Sequence, residues 1–434
     1  MTRRIVIEEL ARVEGHGGIQ VDMEGDAVAS VHFDVFEGAR LLETLLNGRH
    51  YLDVAPTISR ICAICSTAHL VTSLKTTEAA FGVQVSEQTE VLRELLFRGE
   101  NIESHALHLF LLAAPDYLGY PSAPAMAREF PEIVKLGLEL KQLGNRVQEV
   151  IGGRAIHPTT PVLGGFAALP DSAQLIELRD RVARALERVP ELLEFVGQLP
   201  PEHGCSAETV FAALAPEQYG YSRTADVTFK GQQRTEGFEP SDYRTFTNEM
   251  VVAHSNARHS LFENAPFLVG ALARLTVNEA LLDADALAVL ERVKLLLPSG
   301  DPLDNNKAQA VELVLDLQWC LVTLERLLSE GLRPEAPAFI VPRAGTATVI
   351  TEAPRGLLVH SYSYNEDYRI ASADVITPTA MNAASIERHF QLGVAQSPDK
   401  TDAVLTRRLE MIARAYDPCI SCSVHLVRLN DNAG

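Results

Sequence analysis

Two segments decide how this chain must fold: RICAICSTAH at residues 60–69 and DPCISCSVH at residues 417–425. Each contains a C-x-x-C pair followed by a histidine, which is His69 in the first segment and His425 in the second. Two cysteines three residues apart can project from one turn and bind the same ion. More than 350 residues separate the two pairs, so a shared site requires the two ends of the chain to meet. The four cysteines would then offer four thiolates to one metal centre.

The spacing of the cysteines leaves the type of site open. A structural zinc site uses the same four thiolates. A thioredoxin-like redox pair is disfavoured, because that motif is expected once and beside a βαβ unit. Unrelated buried cysteines would explain the residue types but not the repeated spacing. Spacing alone therefore does not separate zinc from a redox-active metal.

The residues before the second pair add a local prediction. Asp417 is a favourable N-cap residue, and Pro418 is a favourable first residue of a helix. This pattern predicts that Cys419 lies in the first turn of a helix. The helix dipole at that position lowers the pKa of a thiol and favours the thiolate, which is the form that metals bind.

The composition is typical of a folded protein: 434 residues, 47% hydrophobic and 22% charged, with a formal net charge of −19. Length alone suggests about two or three domains. The negative charge argues against a nucleic-acid partner, because phosphate binding requires a basic face. We expect neither a secretory signal nor a transmembrane segment, because no apolar run is long enough. Six cysteines in so long a chain favour a reducing compartment, and we expect a cytoplasmic location.

Hydrophobic periodicity predicts a mainly α-helical fold with small β parts. Alternating residues over 4–37 predict an N-terminal antiparallel sheet, and a helix is expected over 39–46. Apolar residues at helical spacing predict a central bundle of long helices. These helices are expected over residues 86–115, 129–151, 173–196, 281–297 and 305–328.

The remaining pattern gives the organisation of the chain. Strands are expected at 338–341 and 356–359, and a final helical pattern covers 379–415. We expect three segments that form one integrated domain. They are a β-rich segment with the first cysteine motif (1–85), the helical bundle (86–335), and a mixed segment that ends in a C-terminal helix and the second cysteine motif (336–434).

The residues that flank the cysteines distinguish a zinc site from a redox-active metal site. Arg60-x-Cys-x-x-Cys-x-x-x-His, together with Asp417-Pro-Cys-x-x-Cys-x-x-His, resembles the large subunit of nickel–iron hydrogenases. Further motifs of that family follow in the same order along the chain. They are ARVEGHG at 11–17, LLETLLNGR at 41–49, GGR at 152–154, EAPRG at 352–356 and TPT at 377–379. The resemblance covers essentially the whole chain and implies the fold of that subunit.

The chain departs from the family pattern in two places. Ala63 stands where many members have glycine, a change between small residues that the loop should tolerate. Glu103, Ser104 and His105 stand where many respiratory members have an Asp-His pair, which leaves the roles of these three residues open. The chain is also shorter than membrane-associated members. It is more similar to the compact cytosolic hydrogenases that exchange electrons with soluble nicotinamide or deazaflavin cofactors.

The resemblance implies a nickel–iron centre whose iron carries cyanide and carbon monoxide. By family position, Cys62 and Cys419 are terminal nickel ligands, whereas Cys65 and Cys422 bridge nickel and iron. Three further positions match residues that contact the cofactor, namely Pro354, Arg355 and Thr379. Arg355 matches the position near the cyanides, where its fixed set of donors suits an anionic ligand.

The resemblance also implies the reaction, which is the reversible heterolytic cleavage of dihydrogen to protons and electrons. By family position the catalytic residues are Cys419, whose thiolate takes the proton, Glu14, which relays it, and Arg355. Glu43 and His425, with the backbone carbonyl of Val375, match a site for magnesium or a related divalent ion. For His69 we expect a supporting role beside the centre.

The family supplies the partners that this chemistry requires. Electrons leave through an iron–sulfur small subunit, because this chain has no further cysteines at cluster-binding spacing. Additional flavin and iron–sulfur diaphorase subunits would carry them to NAD(P), the expected acceptor. Metal-insertion proteins and a maturation protease are also implied, since family precursors are often trimmed after the histidine that matches His425. Two alternatives stay open, a dihydrogen-sensing regulatory hydrogenase and a structural four-cysteine zinc protein.

Overall fold

The computed structural model describes residues 2–37, 42–200, 205–231 and 234–424. Helices dominate these residues. In chain order the α-helices are α1 (Leu42–Leu46), α2 (Tyr51–Ile58), α3 (Ser66–Phe81), α4 (Glu87–Ala106), α5 (Ala114–Leu118), α6 (Ala123–Met126), α7 (Pro131–Gly152), α8 (Ser172–Glu187), α9 (Val189–Gln198), α10 (Tyr243–Thr247), α11 (Ala271–Val277), α12 (Ala284–Arg292), α13 (Asp304–Glu330), α14 (Pro378–Ala395) and α15 (Asp402–Ala415). A π-helical turn, Leu107–Ala113, connects α4 to α5.

Small sheets surround this helical body. The strands are β1 (Thr2–Ile7), β2 (Gly17–Glu24), β3 (Ala27–Val35), β4 (Pro161–Val162), β5 (Gly165–Phe166), β6 (Val210–Leu214), β7 (Val227–Lys230), β8 (Thr235–Phe238), β9 (Phe267–Leu268), β10 (Gly345–Ala353), β11 (Gly356–Tyr364) and β12 (Ile370–Ile376). The sheet orders are β1-β2-β3, β10-β11-β12, β4-β5 and β8-β7-β6-β9. The mainly α class with small β parts is confirmed.

The N-terminal sheet is confirmed as antiparallel. Ile5 faces Val21 in the register of β1 with β2, and Val21 faces Val31 in the register of β2 with β3. These apolar residues are buried while their neighbours along each strand are more exposed, as expected for a sheet with one solvated face. β3 packs on α14 and β1 contacts α15. The sheet therefore lies against the helices that precede the second cysteine motif.

The central bundle is also confirmed, with α4, α7 and α13 as its long members. The helix expected over 173–196 is instead two helices, α8 and α9, and the helix expected over 281–297 is the shorter α12. A Cβ on Gly144 of α7 would lie 2.4 Å from the backbone nitrogen of Glu103 in α4. Only glycine permits this close approach of the two helix backbones. Helix α13 packs on α4 and on α11, so the bundle forms the rigid body behind the cysteine site.

The periodicity does not predict α3, the helix that follows the first cysteine pair. Almost every residue of α3 is buried, including its serines and threonines. A helix buried on all sides has no apolar stripe, so its sequence lacks the usual helical signature. The first 85 residues therefore contain a buried helix in addition to their strands.

Two local expectations in the C-terminal part are wrong. Residues 338–341 form no strand, because prolines at 337 and 342 flank them and Phe339 is exposed. The helical pattern over 379–415 is two helices, α14 and α15, separated around Pro398. The expected strand at 356–359 is part of β11. Within the described ranges, we find no helix that is long and apolar enough to cross a membrane.

Candidate metal centre

The fold brings the two cysteine pairs together in the core. Sγ of Cys62 lies 3.4 Å from Sγ of Cys419, and Sγ of Cys65 lies 3.5 Å from Sγ of Cys422. Cys419 and Cys422 are 2.9 Å apart at their sulfurs. All four thiols are buried and free of disulfides, and their sulfurs lie within 4.8 Å of one another. Four sulfurs at this separation can ligate one compact metal centre.

The first pair is held mostly by its own stretch of chain. Cys62 follows a 3-10 turn, Ser59–Ile61, and Cys65 is the residue before the first turn of α3. The amides of Ile64 and Cys65 point at Sγ of Cys62, at 3.3 and 3.4 Å. Amides directed at a sulfur favour its thiolate form. The helix N-terminus therefore lies at the first pair rather than at the second.

A buried carboxylate supports that helix N-terminus. Glu100 of α4 accepts the backbone N–H of Thr67 at 2.6 Å and that of Ala68 at 3.0 Å. Both amides belong to the first turn of α3, where backbone donors have no partner within the helix. Burial raises the pKa of Glu100 well above its usual value. The sequence reasoning missed this residue, because no local motif connects it to the cysteines.

The second pair is arranged differently from the prediction. Asp417 has a φ of 50° and does not cap a helix, and only a 3-10 turn, Ile420–Cys422, follows it. A three-residue turn has little dipole, so the expected lowering of the Cys419 pKa is wrong. Its pKa is raised well above the usual value by the neighbouring sulfur of Cys422 and those of the first pair.

Crowding of the four thiols sets their ionisation. The pKa of Cys62 is lowered well below the usual value by hydrogen bonds from Cys419 and Cys422. The pKa of Cys65 is raised to about 11, although Cys419 and Cys422 oppose the rise, because burial and the Cys62 thiolate disfavour a second charge. Burial also raises the pKa of Cys422. Several thiolates can coexist here only when cations compensate them.

Glu14 reaches this cluster from the N-terminal segment. Its Oε2 lies 3.2 Å from Sγ of Cys419 and accepts the backbone N–H of Ser421 at 3.1 Å. The hydroxyl of Ser421 donates to the other carboxylate oxygen. The backbone carbonyl of Glu14 accepts the N–H of Ile420 at 2.8 Å. Glu14 is thus fixed against the second motif by its backbone and its side chain, and Ser421 is an anchor that sequence reasoning missed.

Arg355 lies in the two-residue turn between β10 and β11. Its Nε donates to the backbone carbonyl of Asp417 and its Nη2 to the Asp417 carboxylate, both at 2.9 Å. Burial alone would lower the pKa of Arg355, but Asp417 and the cysteine sulfurs raise it well above its usual value. Gly356 follows with a φ of 130°, and a Cβ there would lie 2.7 Å from the backbone nitrogen of Gly270. The turn that carries Arg355 can therefore pack this closely against the backbone of Gly270 only with glycine at position 356.

One hydrogen-bond donor of the Arg355 guanidinium has no acceptor among the described residues. This donor is Nη1, which is buried. An orphaned charged donor is costly unless another group meets it. An anionic ligand on a metal held by the four cysteines would provide that acceptor, so the residues present fit a metal centre that carries such a ligand. The neighbouring Pro354 is buried, and its carbonyl accepts a hydrogen bond of 2.9 Å from Arg274.

Asp417 receives further support from the bundle. Gln309 of α13 donates to its carboxylate at 3.1 Å. His108, in the π-helical turn, contacts Oε1 of Gln309 at 2.5 Å and the backbone carbonyl of Arg414 at 2.6 Å. This chain of buried contacts ties the second cysteine motif to the helices. The sequence shows neither Gln309 nor His108 as part of the site, because both stand alone in helical patterns.

Of the other expected site residues, the structure describes Thr379, Glu43 and Val375. Oγ1 of Thr379, at the start of α14, accepts the backbone N–H of Cys419 at 2.9 Å. A carboxylate oxygen of Glu43 accepts the N–H of Val375 at 2.8 Å, so these two expected ligands are neighbours. His425 lies outside the described residues, as does the expected helix start at residues 39–41.

Two residues near the first motif complete the arrangement. His69 is buried in α3, and its Nδ1 lies 3.1 Å from Nε2 of His360. Arg60 is exposed and forms no ion pair within the described ranges. Among the residues described, Arg60 therefore takes no part in the buried contacts that hold the first motif.

The departure at residues 103–105 belongs to the bundle. Glu103 pairs with Lys141 at 2.8 Å, and His105 pairs with Glu312 at 2.7 Å. The hydroxyl of Ser104 is buried without a partner in the part of the chain that is described. Glu103 therefore pairs with a residue of α7 and His105 with a residue of α13.

Comparison with solved structures identifies the class of protein that this fold and site define. The crystal structure of an NAD⁺-reducing [NiFe]-hydrogenase in the H2-reduced state superposes with a TM-score of 0.87 at 26% identity, covering 98% of this chain and 99% of that one. A [NiFeSe]-hydrogenase from Dm. baculatum shares the fold, with a TM-score of 0.81 at 21% identity, and covers 98% and 100% of the two chains. The fold is that of a nickel–iron hydrogenase large subunit.

The sequence comparisons place the chain in the family. The family model "Nickel-dependent hydrogenase" matches residues 40–129 and 323–425, and a second model, "HoxL-like", matches residues 4–37. The alpha chain of sulfhydrogenase 1 from Pyrococcus furiosus is 37% identical over 98% of both chains. The alpha chain of sulfhydrogenase 2 from the same organism is 36% identical over 98% of this chain and 100% of its own. The chain belongs to the nickel-dependent hydrogenase family.

Family and site together establish the broad chemistry. The chain is the catalytic large subunit of a nickel–iron hydrogenase, an oxidoreductase. Its buried four-cysteine cluster supports a nickel–iron centre. The structural zinc alternative shares the ligands but has no support from the relatives.

Proposed function

We propose that this subunit cleaves dihydrogen reversibly and passes the electrons through an iron–sulfur small subunit to a soluble acceptor such as NAD(P). The observation that carries the proposal is the buried four-sulfur cluster with a carboxylate, Glu14, 3.2 Å from Sγ of Cys419. A nicotinamide acceptor is supported by the similarity to an NAD⁺-reducing hydrogenase over nearly the whole chain.

The four cysteines would hold the metals in two roles. We assign Cys62 and Cys419 as terminal nickel ligands and Cys65 and Cys422 as ligands shared by nickel and iron. The sulfurs within each of these pairs are 3.4 and 3.5 Å apart, so each pair can serve one side of the centre. Soft thiolates suit nickel and iron better than magnesium or calcium. When bound, the centre supplies the site where dihydrogen is polarised and its electrons are accepted.

Arg355 would balance charge and orient the ligands on iron. Four thiolates and cyanide ligands give a buried centre with net negative charge, which requires a cationic neighbour. Arg355 is buried and is held by Asp417 through two of its nitrogens. Its third nitrogen, Nη1, remains available for an anionic acceptor. Thr379 and Pro354 would support the same ligands, since Thr379 fixes the backbone of Cys419 and Pro354 belongs to the turn that carries Arg355.

Glu14 would move the proton. The thiol of Cys419 donates to Oε2 of Glu14, and Ser421 holds that carboxylate through its N–H and its hydroxyl. A general base must lie within hydrogen-bond reach of the proton it takes, and this pair meets that requirement. Glu14 is only half-buried, so the carboxylate connects the buried sulfur with the outer part of the molecule.

A second cation would bind beside the centre, as magnesium or a related divalent ion. We assign Glu43, the carbonyl of Val375 and His425 as its ligands. The contact of Glu43 with the amide of Val375 supports the first two, because it places the carboxylate at that strand. Carboxylate and carbonyl oxygens are the ligands that hard cations prefer.

The expected partners follow from this chemistry. An iron–sulfur small subunit would receive the electrons, and flavin-containing diaphorase subunits would deliver them to the nicotinamide. We propose a cytoplasmic complex, loaded by metal-insertion proteins and trimmed after His425 by a maturation protease. Mass spectrometry of the active enzyme tests the trimming, since an intact end at Gly434 contradicts it.

Elemental analysis combined with turnover tests the proposed function. The purified holoenzyme should contain nickel and iron and should reduce NAD(P) or a viologen dye with dihydrogen. Zinc without nickel would overturn the hydrogenase assignment. Nickel and iron with very slow turnover on soluble acceptors would instead indicate the dihydrogen sensor, which shares the site but signals through a partner.

A further inference from the structure

Three histidines and one glutamate cluster away from the four cysteines. His32 lies on β3, His254 and His259 lie between α10 and β9, and Glu387 lies on α14. Ligand atoms of His32, His254 and Glu387 are within 4.8 Å of one another. Two nitrogen or oxygen ligands on one tetrahedral zinc ion are about 3.3–3.5 Å apart. Small rotations of these side chains would therefore bring all three onto a shared ion.

The hydrogen bonds of the cluster do not satisfy its nitrogens. Glu387 Oε1 accepts from Nε2 of His254 at 2.7 Å and from the backbone N–H of Phe33 at 2.8 Å. Its other oxygen is 3.9 Å from Nδ1 of His259. Nδ1 of His32 and Nε2 of His259 are buried and have no hydrogen-bond partner among the described residues. Buried orphan nitrogens beside a carboxylate indicate that a group is missing from this cluster.

The contact between the imidazole rings of His32 and His254 also supports a bound ion. The ring centroids of His32 and His254 are only 4.3 Å apart. Two imidazoles from different elements at this separation can direct ring nitrogens at one shared ion, and Nδ1 of His32 is a buried nitrogen without a hydrogen-bond partner among the described residues.

We propose that His32, His254 and Glu387 form a second metal site, for a divalent transition ion of the zinc class. Two imidazoles and one carboxylate are a ligand set for zinc, cobalt or ferrous iron rather than for magnesium or calcium. His259 is 95% buried beside the carboxylate, with its Nδ1 3.9 Å from Glu387, and is not one of the three proposed ligands. The side chains of His254 and Glu387 keep 26% and 17% of their surface exposed, which provides a path for the ion.

The site would fasten three parts of the fold that meet at the second cysteine motif. The N–H of Asn256, two residues after His254, donates to the carbonyl of Val35 at the end of β3. Ala257 pairs with Val424, which follows Cys422 by two residues. An ion shared by β3, this segment and α14 would hold the segment in place over the C-terminal motif. Its role is structural, so its loss should lower stability and leave the nickel–iron chemistry in place.

Zinc analysis of the holoenzyme, already loaded with nickel and iron, tests this site. After dialysis against micromolar zinc sulfate and desalting, we expect one tightly held zinc per large subunit. X-ray absorption at the zinc edge should show nitrogen and oxygen ligands at about 2.0–2.1 Å and no sulfur at about 2.3 Å. Sulfur ligands would place the zinc at the cysteines and overturn the proposal, as would the absence of retained zinc.

Two conservative variants connect the zinc to these residues. His254→Gln and Glu387→Gln should each lower zinc affinity at least about tenfold, while nickel content and dihydrogen turnover persist. Glu387→Gln keeps an oxygen that can accept the N–H of Phe33, which protects the fold. The matched control is His50→Gln, a histidine that precedes α2 and lies outside the cluster. Zinc retained by both variants, or lost equally in the control, would contradict the site.

Discussion

The two cysteine motifs share their spacing but are held in different ways. The first is held locally, because Cys65 begins a buried helix and the amides of Ile64 and Cys65 point at Cys62. The second has only a short turn of its own. Distant segments hold it instead, through Glu14 and through Arg355.

The two cysteine motifs therefore contribute to the metal centre in different ways. In the first motif the sulfur of Cys62 is contacted by backbone amides of its own segment, and side chains of other elements support the helix that follows. A motif fixed by side chains from other elements receives those side chains as close neighbours of its sulfurs. Glu14 and Arg355 both contact the second motif, so we expect turnover to be most sensitive there and stability to depend more on the first.

Replacement of Glu14 should have the largest effect on turnover. Glu14→Gln keeps acceptor and donor groups for Ser421 but cannot carry a proton. We expect dihydrogen oxidation and hydrogen–deuterium exchange to fall by at least about 10²-fold, with nickel and iron contents unchanged. Activity assays with parallel elemental analysis measure both. The control is Glu9→Gln, an exposed glutamate of the same segment that pairs with His16. Unchanged exchange in Glu14→Gln would remove the relay role.

Replacement of Arg355 should have the next largest effect on turnover. It tests whether the second cysteine motif depends on a side chain from a distant part of the chain. Arg355→Lys keeps the charge but loses the planar set of donors that contacts Asp417. A lost hydrogen bond to a charged group costs about 1.5–3 kcal/mol, so we expect a decrease in turnover of about 10- to 100-fold. Nickel content and rates with dihydrogen measure the effect.

Arg60 provides the matched control for that prediction. It lies beside the first motif and is exposed, so Arg60→Lys should change turnover less than about twofold. Equal losses in Arg60→Lys and Arg355→Lys would show that the second motif has no special dependence on its distant cation.

Much of the fold could be predicted, because its elements carry local signals. Alternating residues predicted β1 to β3, and long apolar periodicity predicted α4, α7 and α13. The buried helix α3 has no such periodicity. The sheet of β6 to β9 was also missed, since its strands are short and β9 pairs in parallel with β6 from more than fifty residues away.

The residues of the site can likewise be divided into those that a sequence pattern predicts and those that it does not. The four cysteines are visible in the sequence because their spacing repeats, and they do meet in the fold. The cap predicted at Asp417 is wrong, because its pairing with Arg355 and Gln309 outweighs its local preference. Glu100 and Ser421 could not be predicted from pattern, since their partners are defined only by tertiary structure. Local rules therefore describe the first motif better than the second.

Removal of Glu100 should have the smallest effect on turnover and the clearest effect on stability. Glu100→Ala leaves the amides of Thr67 and Ala68 without their acceptor at the start of α3. Each unsatisfied buried amide costs about 1–3 kcal/mol, so calorimetry of the holoenzyme should show a lower unfolding temperature. Glu100→Gln retains an acceptor oxygen and should recover most of that loss, while turnover per bound nickel stays near wild type in both. If Glu100→Ala instead lowers turnover per nickel as strongly as Arg355→Lys, the first motif depends on distant support as much as the second, and the contrast between them fails.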